Sequence, residues 1–411
     1  MGQSHHNRNV GWHIARKRRM QKAKPADLSE IETRREYKVE LPQEGMRADK
    51  FIAERTPWLS RTKAQEAFVE GRVLRGGIAI DGGKKLHAGD TLWLILPPPH
   101  EDVTEMGRIP YEIVYEDDQM FVVSKPPHLI VHPTGGYRYT TLLNALHLRF
   151  KGTDVAPRLV NRIDKETSGL VICGKTAGMT GKLGKALEDK EVVKDYLALV
   201  EGIVQADHQF IDLPMIQDAE AEVSMLRRIA QPDEPGSQDA RTEVTVVERL
   251  GRFTLVRCRL HTGRMHQIRV HMKAIGHPLV CDHHYGIRDE LLESDLRDPP
   301  PAPTRIVSPY GFQEGDSDAD VTERIRALDT LKRHEFEALG KSERVPRGMA
   351  DSLILGRCAL HSHYLKLTHP GTGQVLELSA PLPADMAGAV ARLRAVAGQS
   401  NPTLQVPPAN S

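Results

Sequence analysis

Residues 160–172 read VNRIDKETSGLVI, and this stretch constrains the chain most. Its mostly polar residues run straight into an apolar segment, Leu170-Val171-Ile172-Cys173. Such a segment predicts a buried strand, and Thr167-Ser168-Gly169 predicts the turn that starts it. The result is a polar loop held by a strand. Within the loop, Asp164 lies between Arg162 and Lys165. Opposite charge close by favours an ionised acid. Two readings stand at this point. Asp164 is a nucleophile or electrostatic stabiliser beside a strand end, or it is an ordinary residue of a surface turn.

Composition narrows the class. A length of 411 residues suggests two or three domains. A hydrophobic content of 39% with 27% charged residues suits a globular protein. No apolar run is long enough to span a bilayer; the stretch from Leu92 to Leu96 ends in Pro97-Pro98-Pro99. Cys173, Cys258, Cys281 and Cys358 are scattered. That argues against a disulfide framework and a cysteine zinc site, and it fits a reducing, cytoplasmic compartment. Net charge is +1 but uneven, because residues 1–26 contain no acid and carry Arg16-Lys17-Arg18-Arg19. A basic arm of this kind suits nucleic-acid phosphates. A solvated tail and a mitochondrial presequence are the competing readings, and the low serine content weighs against the presequence.

Residues 1–43 are expected to be a basic arm and linker, and residues 44–98 a small α+β module. A short helical pattern runs from Asp49 toward Pro57, and Ser60 is placed to cap a second helix that stops at Gly71. Short strands follow, separated by Gly76-Gly77, Asp81-Gly82 and Gly89-Asp90. Arg47, Arg61, Lys63 and Arg72 put positive charge along the two helices and their exit. Residues 105–395 are strand-rich, with a hairpin around Glu116-Asp117-Asp118, helices over 141–150 and 175–189, and paired strands around Gly251-Arg252. In LHTGRMHQIRVHMKAIGHP, Ile268, Met272 and Ile275 predict a helix entered through Thr262-Gly263-Arg264, which points Arg264 toward an anion. The histidines there, and CDHHYG at 281–286, invite a metal reading, but their spacing argues against it. Residues 287–350 break the pattern as a surface insertion with a charged helix over 319–339, and a tail follows a terminal helix at 396–411. The expected fold class is α+β: a mixed, mainly antiparallel sheet with peripheral helices, beside the small module.

RADKFIAE, SRTKAQEAFVEGRV and IDGGKKLHAGDTL resemble the small RNA-binding domain named after a ribosomal small-subunit protein. The resemblance implies RNA binding through the two-helix face. SKPPHLIVHP, NRIDKETSGLVI, KDYLALV, the stretch from His261 to Gly286, and LHSHYLKLTHP resemble, in order, the RluA-type pseudouridine synthases. That resemblance reverses the balance at Asp164. It implies isomerisation of uridine in RNA, most often large-subunit ribosomal RNA, with no cofactor and no metal. It makes Asp164 the catalytic aspartate, Arg264 the arginine paired with it and Tyr196 the aromatic that stacks on the target base. It gives Arg162 the gap left by the flipped nucleotide and Leu360 the pocket floor. The implied partners are ribosomal RNA or pre-ribosomal particles, not a membrane, with the chain acting as a monomer. Transfer or organellar RNA is the alternative substrate, and a non-catalytic ribosome-assembly factor the alternative function. The sequence departs from the family pattern at Asn161 (usually His), His128 and Cys281 (usually Gly) and Met265 (usually Thr).

Overall fold

The computed structural model describes residues 27–31, 33–56, 61–96, 101–134, 137–221, 223, 225–297 and 352–398. The basic arm, the Ser60 cap, the helix expected over 319–339 and the tail beyond Gly398 lie outside the described residues. The chain divides into two units.

The first unit comprises the chain through Ile109 together with His132–Ala156. Its strands β1 (Arg34–Lys38), β2 (Val73–Arg75), β3 (Ile78–Ala79) and β4 (Thr91–Ile95) form an antiparallel sheet in the order β1-β4-β2-β3. Alternation sets the register: Leu92 and Leu94 of β4 are buried, and Thr91, Trp93 and Ile95 are less so. Gly76 and Gly77 both take positive φ, at 59° and 84°, which lets β2 turn directly into β3. Helices α1 (Ala48–Arg55) and α2 (Arg61–Val69) bury Phe51, Ile52, Ala64 and Ala67 against that sheet. Helix α3 (Leu142–Arg149) starts at Thr141, whose hydroxyl accepts from the Asn144 N–H.

The second unit comprises Pro110–Val131 and the chain from Pro157 onward. In chain order it contains β5 (Glu112–Glu116), β6 (Met120–Lys125), β7 (Arg158–Leu159), β8 (Ser168–Gly174), α4 (Ala177–Glu188) and β9 (Val193–Glu201). Then come β10 (His208–Asp212), β11 (Met215–Gln217), β12 (Arg227–Ile229), β13 (Arg241–Leu250), β14 (Phe253–Leu260) and α5 (Gln267–Ala274). The last elements are β15 (Leu291–Leu292), α6 (Glu293–Arg297), β16 (Leu353–Leu355), β17 (Leu360–Thr368), β18 (Val375–Ser379) and α7 (Ala384–Val396). One sheet of ten strands organises the unit, in the order β10-β13-β14-β9-β17-β8-β6-β5, with β18 on β17 and β7 on β8. The expected class, mixed and mainly antiparallel α+β, is the class observed. Of the insertion expected over 287–350, the described part contains β15, which pairs with β16, and α6.

Two apolar cores hold the sheet. Met179 and Leu183 of α4 pack with Leu170, Ile172, Leu365 and Leu367. Met386, Val390 and Leu393 of α7 pack with Leu197, Leu199 and Leu255. Strand β8 is buried at all seven positions, as its continuous apolar run predicts.

The pairing of β17 with β8 is parallel. Parallel neighbours begin at the same end of a sheet, so the segment entering β17 lies beside the segment entering β8. The first is Arg357–Ala359 and the second is the Asp164 loop. The two strands approach closely at Gly169, whose φ is +104°. A Cβ there would sit 2.1 Å from the Ser362 carbonyl oxygen. Only glycine fits.

Candidate active site

The loop over 160–167 is held from three sides. From the strand side, the Asn161 Oδ1 accepts the Ile172 N–H at 2.7 Å. The departure at Asn161 therefore ties the loop back to the strand it feeds. From below, the Lys125 Nζ donates to the Pro126 carbonyl at 2.8 Å and the Lys165 carbonyl at 3.1 Å. Burial pushes this ammonium down to about 7, the nearby Arg357 charge pushes the same way, and Asp164 opposes both. From the β17 side, the Arg357 Nη1 donates to the Glu166 carbonyl at 3.0 Å, and the Cys358 N–H donates to the Glu166 carboxylate at 2.9 Å. Arg357 is itself fixed by Asp385 at 2.6 and 3.0 Å.

Asp164 projects from this cradle toward helix α5. Its Oδ2 accepts from the Arg269 Nη1 at 3.1 Å, and the His266 Nε2 lies 3.9 Å from the same oxygen. Its Oδ1 takes no hydrogen bond among the described residues. The other edge of the Arg269 guanidinium forms a fork on the Asp282 carboxylate, with two bonds of 2.7 Å. Asp282 is buried, and its Oδ1 also accepts the N–H groups of His284 and Tyr285. The guanidinium carbon lies 4.9 Å from the centre of the Tyr285 ring. Burial alone would lower the Arg269 pKa, but the bonds and charge of Asp282 outweigh it and raise the pKa further. Burial likewise would raise the Asp282 carboxyl, and Arg269 holds it below the ordinary range.

This arrangement corrects one expectation. The arginine paired with Asp164 is Arg269, not Arg264. Helix α5 begins at Gln267, so Arg264 belongs to the exposed loop before it, where its Nε donates to the Asp239 carbonyl at 2.9 Å. Arg269 lies within the helix and is buried with it.

Tyr196, Ser362 and Leu360 share one face of the sheet. Tyr196 stands opposite Ser362, and Leu360 opposite Ala198, across the β9–β17 pair. Tyr196 and Leu360 are both buried. Burial pushes the Tyr196 phenol up to about 12; its bond with Ser362 works against this and the Asp164 charge adds to it. Arg162 is exposed on the Asp164 loop.

The four cations expected to grip RNA are placed differently. Arg47 is exposed and paired with Asp49 at 2.7 Å. Arg72 is paired with Glu70 and donates to the Ile95 carbonyl at 3.2 Å. Lys63 is exposed on α2. Arg61 opens α2, and its side chain lies outside the described residues. The histidine-rich stretches are occupied by hydrogen bonds. His271 bonds the Thr242 hydroxyl at 2.9 Å and the Leu213 carbonyl at 3.0 Å. His283 lies between Asp289 and Glu166. No group of side chains able to hold a metal ion is found among the described residues.

Sequence reasoning passed over Arg269, Asp282, Lys125 and Arg357. The available signal was a lone arginine inside an otherwise buried helix, because a buried cation requires a buried acid. The glycine departures also become clear. His128 and Cys281 take left-handed backbones with φ of 60° and 58°, the conformation glycine adopts most easily. Nothing in the structure explains Met265.

Comparison with known proteins gives consistent matches. The family description RNA pseudouridylate synthase matches residues 119–274. Ribosomal large subunit pseudouridine synthase D of Vibrio cholerae is 32% identical over 86% of this chain and 92% of its own length. The uncharacterized RNA pseudouridine synthase YlyB of Bacillus subtilis is 32% identical over 86% of this chain and 95% of its own length. The solved structure of human RNA pseudouridylate synthase domain containing 4 aligns with a TM-score of 0.46 at 22% identity, covering 71% of this chain and 95% of that one.

Proposed function

The chain belongs to the RNA pseudouridylate synthases, and from that premise we propose that it converts specific uridines of large-subunit ribosomal RNA to pseudouridine through Asp164. The observation that carries this reading is the state of the Asp164 carboxylate. Arg269 holds one oxygen at 3.1 Å, and the other has no hydrogen bond among the described residues. A carboxylate fixed in this way has one oxygen left for a sugar carbon.

The chemistry asked of the site is modest in atoms and demanding in geometry. The bond from uracil N1 to ribose C1′ breaks, and its electron pair stays with the base. The base turns, C5 bonds to C1′, and C5 then loses its proton while N1 gains one, so the product is an isomer. Asp164 attacks C1′ or stabilises its cationic character. The Tyr196 ring supplies a flat face on which a uracil can turn. A phenol raised to about 12 stays protonated near neutrality, so Tyr196 serves through its face and hydroxyl before it serves as a base. Extruding a base costs a few kcal/mol, and the exposed Arg162 is suited to fill the emptied stack. Leu360 closes the apolar side of the pocket.

In this reading the chain acts as a monomer in the cytoplasm, on ribosomal RNA or pre-ribosomal particles. The four cysteines are free and buried, which supports a reducing compartment. Residues 44–98 serve as an RNA-binding module through Arg47, Arg61, Lys63 and Arg72. The test is pseudouridine formation on large-subunit ribosomal RNA by purified protein and by Asp164→Asn. The variant is expected to bind RNA as the parent does and to form no product. Full activity in the variant would remove Asp164 from the mechanism.

A further inference from the structure

We propose that His266 is a positioning residue for the reaction, a neutral Nε2–H donor that shares the Asp164 Oδ2 with Arg269 and so leaves Oδ1 to face the sugar. The inference rests on the assignment of Asp164 made above. Its ground is a hydrogen-bond ledger around Tyr285. The Tyr285 oxygen accepts the Arg227 N–H at 2.9 Å. The His266 Nδ1 lies 2.9 Å from the same oxygen. The hydroxyl proton needs an acceptor, and Nδ1 is placed to take it. A neutral imidazole that accepts at Nδ1 carries its proton at Nε2. Nε2 is the atom that faces Asp164, 3.9 Å from Oδ2.

The ring is held in place by more than this bond. His266 caps α5 from a left-handed backbone, with φ 58° and ψ 19°, a conformation costly to every residue but glycine and a few polar types. Its ring meets the Tyr285 ring edge-on, with centroids 5.6 Å apart. The charged and titratable groups around it are Asp164, Arg269, Asp282, His284 and Tyr285. Burial keeps the imidazole below its ordinary range against the pull of Asp164, which favours the neutral ring the ledger requires. A gap of 3.9 Å is longer than a hydrogen bond. Bonds of this kind often shorten only when substrate closes the site.

Substitutions at 266 separate the donor from the backbone. Asparagine tolerates the left-handed conformation and fills the place of Nδ1, but it has no atom at Nε2. Glutamine carries an amide N–H as far as Nε2. Single-turnover pseudouridine formation on a large-subunit ribosomal RNA transcript is the readout. His266→Asn is expected to slow it about 10- to 100-fold, with half-saturation by RNA unchanged, and His266→Gln to recover most of that loss. A wild-type rate in His266→Asn, or Gln as slow as Asn, would overturn the inference. Should His266→Asn not fold, Tyr285→Phe removes the tautomer lock without touching the backbone; about 3- to 10-fold slowing is expected, and an unchanged rate would overturn the inference. Asp164→Asn is run alongside. If it stays active, the parent reading fails; if it is dead while His266→Asn is fast, only the role of His266 falls.

Discussion

Arginines in the two units make ion pairs of similar length in different circumstances. In the first unit, Arg47 meets Asp49 at 2.7 Å and Arg72 meets Glu70, each two residues away and each at a partly exposed surface. In the second unit, Arg269 meets Asp282 at 2.7 Å and Asp164 at 3.1 Å, thirteen and 105 residues away, with its side chain only 8% exposed. Arg357, fully buried, meets Asp385 and the carbonyl of Glu166. Exposed pairs are screened and are made as easily in the unfolded chain. Buried long-range pairs exist only in the fold, and removing one partner strands the other charge. The first kind leaves cations able to exchange their acid for a phosphate. The second kind fixes a carboxylate in space.

Breaking the buried fork is the severest test of this contrast. Arg269→Ala is expected to cost about 3–5 kcal/mol in urea unfolding and to end pseudouridine formation; a cost near that of a surface pair would erase the distinction. Gly169→Ala probes the cradle without touching a charge. Its Cβ would meet the Ser362 carbonyl, and about 2–4 kcal/mol of stability should be lost, with activity falling alongside it. Acid probes burial within the second unit. Burial holds folded His271 down to about 4, whereas an unfolded histidine titrates near 6.5. Below that value the unfolded chain binds the proton the folded ring refuses, so stability declines as pH falls from 6.5 toward 4, by about 3 kcal/mol. Urea midpoints of the parent and of His271→Gln across that range should converge at the acid end. The mildest change is Arg47→Ala, worth about 0–1 kcal/mol of stability. It should lower the salt dependence of RNA binding by about one phosphate contact. A stability loss as large as that of Arg269→Ala would mean the surface pair is structural.

The strands and helices were legible wherever one period dominated. The paired strands around Gly251, helix α4 and the terminal helix α7 lie where alternation or helical spacing put them. Asp164 drew attention because its flanking cations are neighbours in sequence, but those neighbours left two readings open and only the resemblance chose between them. Arg269 was not legible, because its partners are brought to it by the fold. Arg264 was paired with Asp164 on the resemblance; the local signal of a loop entering a helix speaks of anions in general and not of one carboxylate 100 residues away. Lys125 ended a hairpin on paper and supports a loop in space. Asn161 could be named as a departure, and its bond to Ile172 gives its consequence.

The position of β17 governs the order of assembly. It fills the slot between β8 and β9, strands separated in sequence by little more than α4, yet it begins at Leu360. During synthesis from the amino end, β8 and β9 therefore emerge well before the strand that separates them. Arg357, which steadies the Asp164 loop, emerges only just ahead of that strand. Asp164 is therefore made long before the residues that hold its loop from the β17 side, and a strand edge left open until then is a site for mispairing. The middle of the sheet is complete only once the strand from the carboxyl-terminal part of the chain is in place.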